Sequence, residues 1–240
     1  MSDAPACFFT VVIPVKNEET NIATLAAEIT AAFADAPFPW EVLWIDDGST
    51  DGSLGVMKGL GAPHRWISFT RNCGQSAAFI AGFRHARGEW VGTLDGDGQN
   101  DPRDLRRQLD HALATKVDMC NGIRAKRQDN FVRKLSSKIG NGTRNLITGR
   151  TVTDVGCSTR VVRRTAVIDL PFFHGNHRFL PVLVAMKGHP WAEIPVNHRP
   201  RASGTSKYGV LNRAFSGLRD CFGVRWLTSR NRNWAVAAEG

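Results

Sequence analysis

The chain is poor in the residues that staple small or secreted folds. Its five cysteines, Cys7, Cys73, Cys120, Cys157 and Cys221, are odd in number and contain no Cys-x-x-Cys pair. That speaks against a disulfide framework and against a zinc site, and for a reduced, cytosolic setting. No apolar run approaches the ~18 residues of a transmembrane helix, and Met1 to Pro5 lacks the segments of a secretory signal, so the chain is expected not to span a membrane by itself. There is one tyrosine and no helix-turn-helix, zinc-finger or RNA-recognition signature. The high pI of about 9.8 is therefore read as no nucleic-acid partner. Internal repeats and low-complexity segments are also lacking.

What is present fits one large α/β domain. The 240 residues, 42% apolar and 22% charged, can bury a substantial core. Strand patterns near 8–14, 40–46, 65–70, 89–95 and 117–121 alternate with helical patterns near 19–34, 51–60, 74–87 and 102–115. That order predicts a mostly parallel sheet with helices on both faces. Asp101 and Pro102 suit a helix start, since Asp can cap and Pro fits the first turn.

Chemistry concentrates where apolar strands run into acidic, glycine-bearing turns. In Thr93-Leu94-Asp95-Gly96-Asp97-Gly98-Gln99, an extended chain would place Asp95, Asp97 and Gln99 on one side as hard oxygen ligands. Mg2+ or Mn2+ is commonly held by one or two carboxylates plus phosphate oxygens. The same residues also suit a polar turn with no ligand. A second cluster, Ile45-Asp46-Asp47-Gly48-Ser49-Thr50-Asp51-Gly52, repeats the plan. The run Phe8 to Pro14, followed by Val15-Lys16-Asn17-Glu18, supplies a third strand end. In a parallel sheet these ends face one crevice. A phosphoacceptor receiver domain shares two acidic strand ends but is about half as long and gives no reason for the basic second half.

Ile13-Pro14-Val15-Lys16-Asn17-Glu18, Asp46-Asp47-Gly48-Ser49-Thr50-Asp51-Gly52, Arg71-Asn72-Cys73-Gly74-Gln75 and Asp95-Gly96-Asp97-Gly98-Gln99-Asn100-Asp101-Pro102 resemble, in order and spacing, inverting family 2 glycosyltransferases. The subgroup they resemble is the bacterial polyprenyl-phosphate glycosyltransferases, similar to dolichol-phosphate mannose synthase. Gly98 departs from the Leu of many relatives. The resemblance runs from Phe8 to about Gly209 and implies a GT-A, Rossmann-like fold. It divides the chain into a nucleotide-sugar half (about 1–122), an acceptor half (about 123–209) and a basic amphipathic end (about 210–240).

By that resemblance the donor is a UDP- or GDP-sugar lying near Pro14, Val15, Asn17, Glu18, Asp47, Asn72, Asp95 and Gly96, with Asp46 either contributing or orienting its turn. Asp95, Asp97 and Gln99 would hold Mg2+ or Mn2+, and Asp97 is counted as catalytic. The acceptor would be a polyprenyl phosphate, its phosphate clamped by Arg124, Arg133, Ser137 and Arg201. The segment Asp154 to Arg160 resembles one that lines the sugar pocket. His174 and His177 lack a third partner at metal-like spacing and are read as making ordinary polar contacts.

Charge divides the chain: residues 1–100 hold 6 Lys/Arg against 12 Asp/Glu, and residues 101–240 hold 25 against 10. The basic half suits a second anion. Phe131, Leu135 and Ile139 repeat every four residues beside Arg133, Lys134 and Lys138. Leu211, Ala214, Phe215, Leu218, Cys221 and Phe222 form a second helical stripe ahead of Arg225-Trp226-Leu227 and a basic tail. Either stripe suits the interface of an anionic membrane or the protein's own core. A cytoplasmic protein peripherally bound to the inner membrane is expected, with self-association left open. Two alternatives stand: a family 2 enzyme with a non-lipid acceptor, and a noncatalytic binding protein for nucleotide sugars or anionic surfaces.

Overall fold

The computed structural model describes residues 7–124, 142–149, 151–199 and 210–232, with side chains in the last stretch from residue 217 onward. The elements follow in the order β1 (Phe9–Val15), α1 (Glu19–Phe33), β2 (Trp40–Asp46), α2 (Ser53–Gly59), β3 (His64–Ser68), α3 (Gln75–His85), β4 (Trp90–Thr93), α4 (Arg103–Thr115) and β5 (Met119–Arg124). After them come helix α5 (142–148), β6 (Arg160–Arg163), α6 (Leu180–Met186), β7 (Trp191–Val196) and α7 (Val210–Arg230). Two 3-10 turns, Arg164–Ala166 and Asn176–Phe179, flank the approach to α6.

Seven strands make one sheet in the order β3-β2-β1-β4-β6-β5-β7. Every pair is parallel except those of β6, which runs antiparallel to both β4 and β5. The mostly parallel sheet with flanking helices agrees with the sequence expectation; the reversed β6 was not foreseen. Strand residues alternate between two cores, as the period of two requires. Val11, Ile13, Val42, Trp44 and Trp90 pack with α1, α2 and α4 on one face. Val12, Leu43, Ile45, Val91 and Met119 pack with α3, α6 and α7 on the other. Burying both faces explains why these strands read as continuous apolar runs rather than alternating ones. Each large apolar side chain taken fully out of water contributes about 1.5–3 kcal/mol.

The strand order reverses at β1: β2 and β3 lie to one side and β4 to the other. At such a switch the loops leaving adjacent strands diverge, opening a crevice beyond their carboxyl ends. Val15 is level with Asp46, and Val12 with Thr93, so the three motif-bearing loops start side by side.

Helix α7 corrects the expected stripe. Cys221 and Val224 are buried in the core, whereas Leu218, Phe222 and Trp226 are 42%, 59% and 63% exposed. Cys221 is therefore on the core face and Leu218 and Phe222 on another, because a spacing of three and a spacing of four diverge around a 3.6-residue helix. The 131–139 stripe and residues 200–209 lie outside the described residues.

Close approach of α3 to β1 depends on Gly82, where an added Cβ would clash with Val12 Cγ1. Replacing it by alanine gains about 1 kcal/mol of helix propensity but overpacks a stiff β-branched neighbour. Gly82→Ala is expected to lower stability by about 1–3 kcal/mol, read as a reduced denaturant midpoint. An unchanged or raised midpoint would show that the interface has room to spare.

Candidate functional site

The first two strand ends are laced together by main chain and short polar side chains. Asp47 N donates to Val15 O at 2.8 Å. Asn17, in a left-handed conformation (φ 56) that Asn tolerates better than most residues, receives Thr50 N on Oδ1 at 2.8 Å, and its own N donates to Ser49 Oγ at 3.0 Å. Glu18 N donates to Ser53 Oγ at 3.0 Å, and Lys16 Nζ donates to Gly48 O.

Asp46 and Asp47 are both buried and both bonded within the protein. Asp46 accepts Ser49 N on Oδ1 at 2.8 Å and Ser68 Oγ on Oδ2 at 2.7 Å, so it orients its turn. Asp47 Oδ1 accepts Cys73 N at 2.6 Å and Gly74 N at 3.1 Å, and its Oδ2 accepts Gly74 N at 3.0 Å. That carboxylate pins the loop after β3, leaving Asn72 exposed at the crevice. Gly48 (φ +64) permits the approach, since a Cβ there would sit 2.5 Å from the Arg71 carbonyl carbon.

The acidic loop packs on the end of β1. A Cβ on Gly96 would meet Pro14 O at 3.1 Å, Val15 Cγ2 at 3.4 Å and Glu18 Cγ at 3.8 Å. Strand β4 ends at Thr93, so the alternation argument for Asp95, Asp97 and Gln99 does not hold. They lie in a turn, with Gly98 at φ +73 and Gln99 N donating to Asp97 Oδ1 at 3.2 Å. The turn nevertheless gathers acidic charge. Burial first, and then the negative charge of Asp97, raise the pKa of the Asp95 carboxyl above its ordinary value, with Ser158, Arg160 and Arg124 only partly offsetting them. A site that resists a second negative charge gains most from a divalent cation. Among the described residues no three His, Cys, Asp or Glu side chains form a metal-binding group. Asp95, Asp97 and Gln99 together offer two carboxylates and a carboxamide, a set that could hold a hard cation taking its remaining ligands from phosphate and water.

Gln75, at the start of α3, donates from Nε2 to Asp95 Oδ1 at 2.8 Å. It stands in the Arg71 to Gln75 motif but was not singled out as a site residue. Asn100 Oδ1 accepts Asp95 N at 3.1 Å and Ser158 Oγ at 3.2 Å, tying the loop to the second half of the chain.

Arg124 ends β5 and forms a two-pronged pair with Asp154: Nε to Oδ2 and Nη2 to Oδ1, both 2.7 Å. This fork geometry fixes the guanidinium plane. Arg160, at the start of β6, is buried and donates to Asn121 Oδ1 at 2.8 Å, His177 O at 3.0 Å and Val155 O at 3.0 Å; burial lowers its pKa. Only its place in the Asp154 to Arg160 segment signalled it. Of the expected clamp, Arg133, Ser137 and Arg201 lie outside the described residues. The loops that carry Pro14 to Glu18, Asp46 and Asp47, Asn72, and Asp95 and Gly96 touch one another at the strand ends, with Val15 and Asp46 themselves buried.

A model of glycosyl transferase family 2 matches residues 10–170. The chain is 36% identical over 220 residues to the dodecaprenyl-phosphate galacturonate synthase of Rhizobium johnstonii, covering 89% of this chain and 65% of that protein. To the undecaprenyl-phosphate 4-deoxy-4-formamido-L-arabinose transferase of Pectobacterium carotovorum it is 38% identical over 205 residues, covering 84% and 62%. It thus spans a little under two thirds of these relatives. Among solved structures, mannosyl-3-phosphoglycerate synthase of Rubrobacter xylanophilus superimposes with a TM-score of 0.69 at 16% identity, covering 98% of this chain and 79% of that one. Glucosyl-3-phosphoglycerate synthase of Mycobacterium tuberculosis, in complex with Mn2+, UDP and glucosyl-3-phosphoglycerate, does so with 0.66 at 17%, covering 92% and 80%. These likenesses bear out the fold class, and the family match bears out the resemblance read from the motifs.

His177 pairs through Nδ1 with Ser76 Oγ at 2.7 Å and lies against Phe79. Burial, then Arg178, Arg160 and His174, push its pKa down to about 3. The unfolded chain takes up the proton near pH 6.5 and the folded one does not. Stability is therefore fully present above pH 6.5 and falls as pH drops toward 3, by up to about 1.4 kcal/mol per unit. Denaturant unfolding measured from pH 7.5 to 4.5 should show this slope and His177→Asn should flatten it. An equal slope in both proteins would assign the acid sensitivity to other groups.

Proposed function

The chain belongs to glycosyl transferase family 2, and from that premise we propose that it moves a sugar from a UDP- or GDP-sugar to a polyprenyl phosphate with inversion of configuration. The observation that carries this reading is that the loops after β1, β2, β3 and β4, which hold Val15 to Glu18, Asp46 to Gly48, Arg71 to Gly74 and Asp95 to Gln99, contact one another at the sheet's switch point. The names of the relatives, dodecaprenyl- and undecaprenyl-phosphate sugar transferases, support the lipid acceptor.

Asp95, Asp97 and Gln99 would hold Mg2+ or Mn2+, which as a Lewis acid neutralises charge growing on the departing diphosphate. The loop ends at Asn17 and Asn72 would border the nucleoside. An acceptor phosphate oxygen bonds to the anomeric carbon as the bond from that carbon to the donor diphosphate breaks on the opposite face. A phosphomonoester with a second pKa near ~6 is already largely ionised at neutral pH, so no side chain is required as a general base. The demand is a cationic clamp. Arg124, with its fork set by Asp154, would supply one edge of it, joined by Arg133, Ser137 and Arg201.

The acceptor lipid implies a membrane surface, and we assign this protein to the cytoplasmic face of the inner membrane as a peripheral binder. Among the described residues no helix is long and apolar enough to cross a bilayer. Leu218, Phe222 and Trp226 repeat every four residues as an exposed apolar ridge on α7. Arg219, Arg225, Arg230 and Arg232 lie along the same stretch against a single acidic residue, Asp220. An apolar ridge with cationic neighbours fits an anionic bilayer interface.

Incubation with Mn2+, a short polyprenyl phosphate and a panel of UDP- and GDP-sugars should release nucleoside diphosphate from one donor only when the lipid is present. Asp97→Asn should reduce that release by about a hundredfold or more, the scale of losing one electrostatic contact to the leaving group. Lipid-independent turnover, or full activity in Asp97→Asn, would overturn this reading. In vesicle sedimentation, Leu218→Ser combined with Phe222→Ser and Trp226→Ser should leave the protein in the supernatant where the parent chain pellets with anionic lipid. Equal pelleting of both would remove α7 from the interface.

A further inference from the structure

Beyond β7 the chain lies against the acidic loop. Asn100 bridges to His198 in antiparallel register. Arg199 N donates to Gln99 O at 2.8 Å, and Gln99 Nε2 returns a hydrogen bond to Arg199 O at 3.3 Å. One residue before the bridge, Asn197 N donates to Asp104 Oδ2 at 2.6 Å. A carboxamide has one donor end and one acceptor end. With the donor end of Gln99 committed to a main-chain carbonyl, Oε1 is the end that remains to meet a cation.

The carbonyl that sets this orientation belongs to a residue whose side chain is itself anchored. Arg199 Nη1 lies 3.0 and 2.7 Å from Glu28 Oε1 and Oε2 on α1, and its Nη2 lies 3.4 Å from Asp101 Oδ2. Asp101 Oδ1 accepts Arg103 N at 3.1 Å at the start of α4. One guanidinium thus joins α1, the end of the acidic loop and the exit of β7, although Glu28 and Arg199 are 171 residues apart. The pair is about one-third exposed on each side, so its contribution to global stability is small. A clasp at the edge of a ligand set acts instead by holding a donor atom in place.

We propose that Arg199, clasped by Glu28 and Asp101, is a positioning residue for the divalent cation and presents Gln99 Oε1 as the third oxygen beside Asp95 and Asp97. This rests on the metal reading of the acidic loop. Binding of Mn2+ to the whole chain, followed by the EPR signal of free Mn2+ with saturating UDP and in parallel with GDP, tests it directly. Arg199→Ala is expected to raise the apparent Mn2+ dissociation constant about tenfold, with the metal-free melting temperature little changed. Glu28→Gln should do the same. The double variant should be no weaker than Arg199→Ala, because both changes remove one interaction, and Arg199→Lys should stay near the parent value. Parent-like affinity in Arg199→Ala, or additive losses in the double variant, overturns the clasp while leaving the metal site intact. Asp97→Asn separates the two ideas: if the parent binds no Mn2+, or Asp97→Asn binds it equally well, the metal reading fails and the clasp fails with it.

Discussion

A buried carboxylate must be met by donors or it destabilises the fold around it, and at the end of β2 that requirement shapes the whole crevice. Asp47 satisfies it with the main-chain N–H groups of Cys73 and Gly74, while its own N–H is held by Val15. Three strand ends are thereby fixed relative to one another by one residue, through its main-chain N–H on one side and its carboxylate on the other. The loop after β3 is carried into place, Asn72 is left outward, and α3 begins where Gln75 can reach Asp95. The acidic loop then settles on the end of β1 because Gly96 offers no side chain to keep it off. The positions of Asn72 and Gln75 follow from how Asp47 is bonded.

Much of this was legible in the chain because its signals are local. Apolar runs buried on two faces, Asp101-Pro102 before α4, and acidic residues beside glycines gave five strands and four helices close to their observed places. The family motifs brought the right loops together. The misses share a physical cause in tertiary pairing. Nothing in Arg160 to Arg163 indicates that β6 runs backwards, since strand direction depends on partners. The stop of β4 at Thr93 depends on Asn100 capturing Asp95 N, a contact between residues that share no periodic pattern. Arg199 reads as an ordinary charge in a basic half, and Asp154 and Arg160 stand out only through the segment they share; their partners Glu28, Arg124 and Asn121 lie far away in sequence.

The charge asymmetry gains meaning from this arrangement. The acidic half supplies strand ends whose carboxylates are partly consumed in building loops, leaving Asp95 and Asp97 as a local excess of negative charge. In the basic half, Arg124 and Arg160 are drawn inward and neutralised or desolvated, whereas Arg219, Arg225 and Arg230 remain outward along α7. A single net charge conceals these two populations, one held by partners within the fold and one facing solvent.

The reversed strand has a consequence for how the chain meets the end of the sheet. Because β6 runs against its neighbours, its first residue, Arg160, stands level with Thr93 and Asn121 near the ends of β4 and β5. The chain therefore leaves β5 at Arg124 and re-enters the sheet at Arg160 toward the same end of the sheet, where β4 also ends. The register of β6 is set by its own pairing, with Arg160 opposite both Thr93 and Asn121. A parallel strand in that place would bring its last residue to this end of the sheet, whereas the reversed β6 brings its first, so Arg160 comes level with the ends of its neighbours as the chain enters the sheet rather than as it leaves.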